Sequence, residues 1–388
     1  MKYPLTHSNW DKKEISAMQS VIKSGMFTMG KNVKKFENNF SKYLGKKYSV
    51  MVNSGSSANL LGLSSLFFKK KNPLRRGDEV IVTAVSWSTT YAPLQQLGLK
   101  LKLVDIELDT FNVDINLLKK AITKKTKLIV VVNLLGVPCD LKVIRDICEK
   151  RNIYLFEDNC ESMGALVANK MAGSFGKVSS HSFFFSHHMC TMEGGMISTD
   201  DFEIYCILKS LRAHGWSRDL PKKNPLFKAK KNDFYEEYKF ILPGYNVRPG
   251  ELHGSIGNIQ LKKVNNFIKI RRKNLSYFNK LFKNNKKIII PNTNFQSSSF
   301  AFPIIVKKID KAKKLKLFAN LKKENIDFRL ITGGCFTKHN YKKYFDYKVF
   351  KNLNNSNFLH NNGFFVGNAS KDLSIQLKKL SEVLHKTL

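Results

Sequence analysis

Arginine is scarce in this 388-residue chain: only ten of its 66 basic residues are arginine, against 30 acidic ones. The formal net charge of +36 raises the question of nucleic acid. Arginine is the side chain that reads phosphates and base edges with a two-pronged fork, and the lysines here run along the whole length without gathering in one patch. A codon bias toward lysine, asparagine, isoleucine and phenylalanine accounts for that pattern, so no specific nucleic-acid partner is expected. The positive field still favours anionic small molecules. Cysteine is sparse too: Cys139, Cys148, Cys160, Cys190, Cys206 and Cys335 include no Cys-x-x-Cys pair. This spacing argues against zinc, an iron–sulfur cluster or a disulfide framework, and buried free thiols are expected. Long hydrophobic runs are missing. The longest nearly apolar run, Leu128 to Pro138, contains Asn133 and falls short of the ~20 residues a membrane span needs. The opening Met1–His7 has no apolar core and no small-residue cleavage site. The expectation is a soluble, cytoplasmic protein with no membrane partner.

With 43% hydrophobic and 12% aromatic residues the chain can bury a large core. Apolar residues at helical spacing predict helices over Trp10–Ser24 and Lys31–Tyr43. Short apolar runs then alternate with helical stretches. Strands are expected at Tyr48–Val52, Glu79–Val82, Lys102–Asp105, Leu128–Val132, Ile153–Phe156, Ser180–Phe185 and Gly195–Thr199. Strand–helix–strand repetition requires right-handed crossovers and a largely parallel sheet covered on both faces. A long helix is expected over Glu251–Phe282. Beyond Pro291, strands at Phe300–Val306 and Ile326–Arg329 and helices at Asp310–Lys323 and Leu373–Lys386 suggest a smaller α+β domain. The division expected is 1–250 and 251–388. Lys222–Asn232 has the composition of an exposed loop.

Ligands of open α/β sheets bind beyond the carboxyl ends of the strands. Ser54-Gly55-Ser56-Ser57-Ala58 follows the first strand and opens a helix. It is either a phosphate cradle at a helix N-terminus or an ordinary serine cap. Glu157-Asp158-Asn159-Cys160-Glu161 ends another strand; its acids are either helix caps or partners of a cofactor ring. Trp87 is either a stacking face or a core tryptophan. Two adjacent histidines, His187 and His188, stand out in a chain with nine. Neighbours on an extended segment point to opposite sides, so at most one faces a site.

Asn53-Ser-Gly-Ser-Ser-Ala-Asn59, Asp78-Glu-Val-Ile-Val82, Glu157-Asp-Asn159, Ser182-Phe183, Glu193-Gly-Gly195, Arg212-Ala-His-Gly215 and Gly244-Tyr-Asn-Val-Arg248 occur in this order. Together they resemble the DegT/DnrJ/EryC1 family of sugar aminotransferases, which act on nucleotide-linked ketosugars. The resemblance spans nearly the whole chain. It implies the aspartate aminotransferase fold (PLP fold type I): an α/β protein with a mostly parallel seven-stranded sheet sandwiched by helices and a smaller C-terminal α+β domain. The family carries a lysine six residues before the Glu-Gly-Gly glutamate, and here that residue is His187. Ser186-His-His188, followed by Met192-Glu-Gly-Gly195, and Ala84-Val-Ser-Trp-Ser-Thr-Thr-Tyr91 resemble the family's ketosugar 3-dehydratases, in which this departure is shared. Thr83 stands where relatives usually have proline.

That resemblance implies a lyase using pyridoxal 5′-phosphate and pyridoxamine 5′-phosphate. It would remove the C3 hydroxyl of a nucleotide-linked 4-keto-6-deoxy sugar, closest to GDP-4-keto-6-deoxy-D-mannose, with L-glutamate as amino donor. The product would serve colitose-type deoxysugar and O-antigen polysaccharide synthesis. Imidazole cannot tether an aldehyde as lysine does, so the cofactor would be held without a covalent bond while His187 moves protons. Asp158 would face the ring nitrogen, Trp87 would stack on the ring and Glu161 would lie near its phenolic oxygen. Gly55, Ser56 and Ser182 would hold the phosphate. Asn246 would come from the neighbouring subunit of a homodimer, and His214 and Arg218 would lie on the substrate side. His181, His188 and His339 are expected to be structural. The competing reading is a ketosugar aminotransferase using a displaced lysine, Lys170 or Lys177.

Overall fold

The computed structural model describes residues 2–228, 235–236, 239–293 and 296–388. Of the loop expected at Lys222–Asn232, residues 222–228 form no regular element, and 229–232 lie outside the described residues. Helix α1 (Lys12–Ser24) starts after Asp11, whose side chain accepts from the Lys13 amide while Glu14 reaches back to the Asp11 amide at 2.9 Å. Helix α2 (Lys31–Leu44) follows Gly30, which offers no side chain to its free amides. Glu251, far along the chain, caps them instead, its carboxylate accepting from the amides of Gly30 (2.9 Å), Asn32 (2.9 Å) and Val33 (2.8 Å).

The alternating section then gives β1 (Tyr48–Val52), α3 (Gly55–Ser65), β2 (Glu79–Thr83), α4 (Ser88–Gln96), β3 (Lys100–Val104), α5 (Ile115–Ala121), β4 (Thr126–Val132), α6 (Leu141–Lys150) and β5 (Tyr154–Asp158). A hairpin of β6 (Leu166–Val167) and β7 (Lys170–Met171) precedes β8 (Val178–Ser182), β9 (Gly195–Thr199) and α7 (Phe202–Arg212). Helix α8 (Glu251–Phe282) has 32 residues and is therefore about 48 Å long. The remainder comprises β10 (Ile288–Ile289), β11 (Ala301–Val306), α9 (Lys311–Lys323), β12 (Phe328–Arg329), β13 (Tyr347–Val349), α10 (Asn354–Asn362), β14 (Gly363–Gly367) and α11 (Ser374–Thr387).

The large sheet runs β1-β9-β8-β5-β4-β2-β3-β13, with β9 alone antiparallel to its neighbours. Eight strands correct the expected seven. The eighth, β13, is three residues long and returns from far downstream to pair Tyr347, Lys348 and Val349 with Leu101, Lys102 and Leu103. Its Tyr-Lys-Val pattern lies among lysines and is mostly exposed, so hydrophobic periodicity could not mark it. The strand expected over Ser180–Phe185 ends at Ser182. Beyond it the Phe183 amide donates to Gly194 O and the Thr191 amide to Phe183 O, closing a loop that carries Phe184 and Phe185 outward.

Strands β2, β4, β5 and β8 are buried on both faces, as parallel strands covered by helices require. Helix α3 lies close on the sheet at Gly62, where a Cβ would stand 2.8 Å from Phe156 Cε2. One core packs α3, α4 and α7 against the sheet, and a second packs α5 and α6 on its other face. The small sheet, β10-β11-β14-β12, has its own core with α9, α11 and the end of α8. Tyr3 is buried in that core and donates to Gly367 O at 2.8 Å. No helix of the described residues is long and apolar enough to cross a membrane.

Candidate active site

The carboxyl ends of the parallel strands open on a cavity of about 320 Å³, walled on the opposite side by the small sheet. At the end of β1, Ser54 Oγ accepts from the Ser57 amide at 3.1 Å and starts α3. Gly55 cannot carry a side chain: its Cβ would stand 2.5 Å from Ser182 Cβ. The N-terminus of α3 and Ser182 thus form one shallow cradle, extended by Ser56, whose Oγ donates to Thr89 Oγ1 at 3.0 Å. Trp87, half exposed, stands on the cavity wall.

Strand alternation separates the two acids that the sequence left equivalent. Glu157 points away, fully buried, and its carboxylate accepts from the amides of Gly173 (2.6 Å), Phe175 (2.7 Å) and Gly176. Asp158 points into the cavity. Its Oδ2 accepts from Asn59 Nδ2 at 2.8 Å and Thr90 Oγ1 at 2.7 Å. Because the Thr90 hydroxyl donates to Asp158, Ser86 Oγ at 2.8 Å must donate to Thr90. Glu161 Oε2 accepts from the Leu135 amide at 2.9 Å. Burial pushes the Glu161 carboxyl from 4.5 up to about 8, and Asp158 adds to the rise.

The two histidines diverge. His188 is buried behind the wall, with Nε2 2.8 Å from Ser298 O. His187 lines the cavity, its ring 5.1 Å from that of Phe300, and Nδ1 has no hydrogen-bond partner among the described residues. Burial pushes the His187 imidazole down to about 4, the nearby Arg271 guanidinium presses the same way, and a hydrogen bond to the Cys160 backbone opposes them. The ring is therefore neutral at pH 7.

Gly55, Ser56, Trp87, Asp158, Glu161, Ser182 and His187 share this cavity; His214, Arg218 and Asn246 do not line it. Those three form a second cluster. Ala213 bridges Asn246, the His214 amide donates to Tyr245 O at 2.7 Å, and the Arg218 guanidinium lies 5.5 Å from the Trp216 ring. The turn at Gly215, locked against Leu242 and Gly244, holds His214 and Arg218 away from this cavity. In the same motif Arg212 is structural, donating to Glu37 Oε1 at 2.5 Å and Met51 O at 2.7 Å inside the core. No lysine is among the described residues lining the cavity. Lys170 is exposed in the hairpin, and Lys177 pairs with Asp201 at 2.7 Å. The sequence reading missed Asn59, Thr90, Phe300, Arg329 and Thr332. Asn59 lies in the Asn53–Asn59 motif and Thr90 in the Ala84–Tyr91 run; nothing local in the sequence marks the rest.

The sheet order, the strand-end cavity and the motifs around it define an aminotransferase-type architecture. The sequence profile of the DegT/DnrJ/EryC1/StrS aminotransferase family matches residues 8–366, and the chain belongs to that family. Among its relatives, GDP-4-keto-6-deoxy-D-mannose 3-dehydratase from Escherichia coli O55:H7 is 52% identical, covering 99% of this chain and 100% of the relative. The enzyme of that name from Yersinia pseudotuberculosis is 49% identical over 100% of this chain and 99% of its own length. A crystal structure of GDP-4-keto-6-deoxymannose-3-dehydratase with a trapped PLP–glutamate geminal diamine superposes with a TM-score of 0.96 at 51% identity, covering 99% of this chain and 100% of that one.

Proposed function

We propose that this chain is a pyridoxal/pyridoxamine phosphate-dependent 3-dehydratase of GDP-4-keto-6-deoxy-D-mannose, with L-glutamate as amino donor. One observation carries it: among the described residues the cavity holds a neutral histidine, His187, and no lysine. The remaining groups fit the cofactor. The cradle a Cβ on Gly55 would fill suits a phosphate at a helix N-terminus. Asp158, fixed by Asn59 and Thr90, suits a protonated ring nitrogen. The unpartnered His187 Nδ1 suits an exchanging proton.

A bound pyridoxamine phosphate supplies the amine that condenses with the C4 ketone and a ring that stores the electron pair left when a proton departs. His187 takes that proton at Nδ1, and its neutral form at pH 7 is the form able to do so. Asp158, held by Asn59 and Thr90, would face the ring nitrogen as its hydrogen-bond partner. Trp87 covers one face and helps to exclude water. With no amine side chain to return a proton to the sugar's C4, loss of the C3 hydroxyl becomes the outlet. An aminotransferase reading needs a lysine within reach; Lys177 is held by Asp201 and Lys170 faces solvent.

The finer parts of the proposal are a cytoplasmic enzyme of colitose-type deoxysugar synthesis, a homodimer with shared sites, and a division into 1–250 and 251–388. Two separate sheets with separate cores support that division, although Tyr3 and β13 each cross it. Asn246, His214 and Arg218, clustered outside the chain's own cavity, are assigned to the neighbouring subunit's site. Incubation with cofactor, glutamate and GDP-4-keto-6-deoxymannose, followed by mass analysis, tests the reaction. Loss of the C3 oxygen is expected; gain of an amine at C4 would replace this reading with the aminotransferase.

A further inference from the structure

We infer that Trp10 is a positioning residue for His187: its indole N–H, assisted by the Asn9 side-chain amide, fixes the loop that presents the imidazole to the cavity. This rests on the dehydratase reading above, in which His187 moves the proton. Residues 184–190 form neither helix nor strand, so no ladder of backbone bonds holds them. The loop is closed at its base by the Phe183 and Thr191 amides, and Met189 is sunk in the core. On either side of Met189 the carbonyls are taken from outside. Asn9 Nδ2 donates to His188 O at 3.4 Å, and Trp10 Nε1 donates to Cys190 O at 3.1 Å. The Cys190 amide in turn donates to Gln260 Oε1 at 3.1 Å.

The donors are themselves fixed. Trp10, half-buried, directly precedes α1, whose capping box sets Asp11 and Glu14. Glu14 is fully buried, pairs with Lys263 at 2.6 Å and accepts from Gln260 Nε2 at 2.8 Å, which leaves Gln260 Oε1 for the Cys190 amide. In the other direction the chain passes the cavity wall, where Leu5 and Thr6 lie, and reaches Tyr3 in the small-domain core. There the Tyr3 amide donates to Asn325 O at 2.9 Å. Residues 3–10 are thus stretched between two anchors, and their last member grips the loop. A proton carrier tolerates little displacement: about 1 Å can cost on the order of 10²-fold in rate. The His187 ring is set by Phe300 and the Cys160 backbone, and its amide donates to Phe184 O at 2.9 Å. The carbonyl that Trp10 holds lies only three residues further along the same loop.

Two substitutions separate the hydrogen bond from packing. Histidine carries Nε2 at the ring position where indole carries Nε1, so Trp10→His keeps the donor and loses bulk. Trp10→Phe keeps more bulk and loses the donor. With the holoenzyme in the pyridoxamine form, a single turnover of GDP-4-keto-6-deoxymannose is followed by mass; in the pyridoxal form, conversion by glutamate is followed through the cofactor's absorbance. Both halves move a proton at the cofactor's C4′, so Trp10→Phe is expected to lower the saturating rate of each about tenfold. The half-saturating concentrations of sugar and glutamate should stay within about twofold of wild type. Trp10→His should recover most of the loss. Asn9→Leu, which removes the longer and weaker bond, should lower both rates about threefold. In the cofactor-free chain, hydrogen exchange of the 187–191 amides should be faster in Trp10→Phe than in wild type or Trp10→His. Unchanged saturating rates, a loss confined to half-saturation, or a Trp10→His variant slower than Trp10→Phe overturns the positioning role. If Trp10→Phe does not fold, unchanged rates in Asn9→Leu overturn it and a parallel fall in both halves supports it. A wild-type chain that performs neither half-reaction overturns the dehydratase reading instead; the exchange rates then decide the anchor, and equal exchange overturns it.

Discussion

An asparagine at position 187 would keep a polar side chain on the cavity wall but lose the nitrogen that accepts a proton. His187→Asn should lower sugar turnover about 10²–10⁴-fold, read as a single turnover of the pyridoxamine form. His187→Lys should retain the cofactor covalently after borohydride treatment and lose dehydration; unchanged dehydration would remove His187 from its role. Glu161 offers a pH test. Its carboxyl is raised from 4.5 to about 8, so the cofactor-free fold holds a proton that the unfolded chain releases. That contribution is full below pH 4.5 and disappears as pH rises through 8. Between about pH 5 and 8, the Tm of the cofactor-free wild type should therefore fall relative to that of Glu161→Gln; parallel curves would show that the proton is not held. At this scale the sequence was half legible. The motif placed two acids at the end of β5 and two histidines after β8, but only the direction of each side chain decided between Glu157 and Asp158, and between His187 and His188. Arg329 and Thr332 could not be read at all. They reach the cavity through pairing of β12 with β14, a contact with no local signal.

Elements marked by strong periodicity emerged with nearly their expected bounds: α8 runs from Glu251 to Phe282 as its apolar spacing required, and β1 and β9 also match. Elements defined by pairing did not. Strand β14 lies between β11 and β12 in the small sheet, yet it is five residues flanked by glycine. Ser182 ends its strand because the chain must turn to bring His187 to the wall, a demand of the site that propensity cannot register. The same scale carries a stability prediction. Glu251 closes the amides at the start of α2 and anchors α8 to it, in place of the side chain Gly30 lacks. Glu251→Ala should cost about 2 kcal/mol through lost charge-assisted bonds, read as a lower midpoint in urea with an unchanged m value. A midpoint within error of wild type would show that water replaces the carboxylate.

For the whole molecule, the placement of Asn246 outside its own cavity makes a shared site testable by complementation. His187→Ala and Asn246→Ala homodimers should each be nearly inactive. After subunit exchange, half of the dimers are mixed and one of their two sites is intact, so about one quarter of wild-type activity should return. No return after verified exchange would place Asn246 outside the site. The positive charge that first suggested nucleic acid has a milder reading here. The cavity itself is acidic, with one arginine among its described charged lining residues, so the lysines act as a distant field and not as specific ligands.

The edge strand β13 bears on how the chain is made. Translation delivers β3 some 240 residues before the segment that will cover its open side, reading from Val104 to Tyr347. Until then a growing polypeptide emerging from the ribosome carries an unpaired β edge, which can recruit other strands. The cofactor pocket's distal wall is likewise absent until the last segments emerge. A nascent chain stalled before residue 347 should therefore be the species most dependent on chaperones.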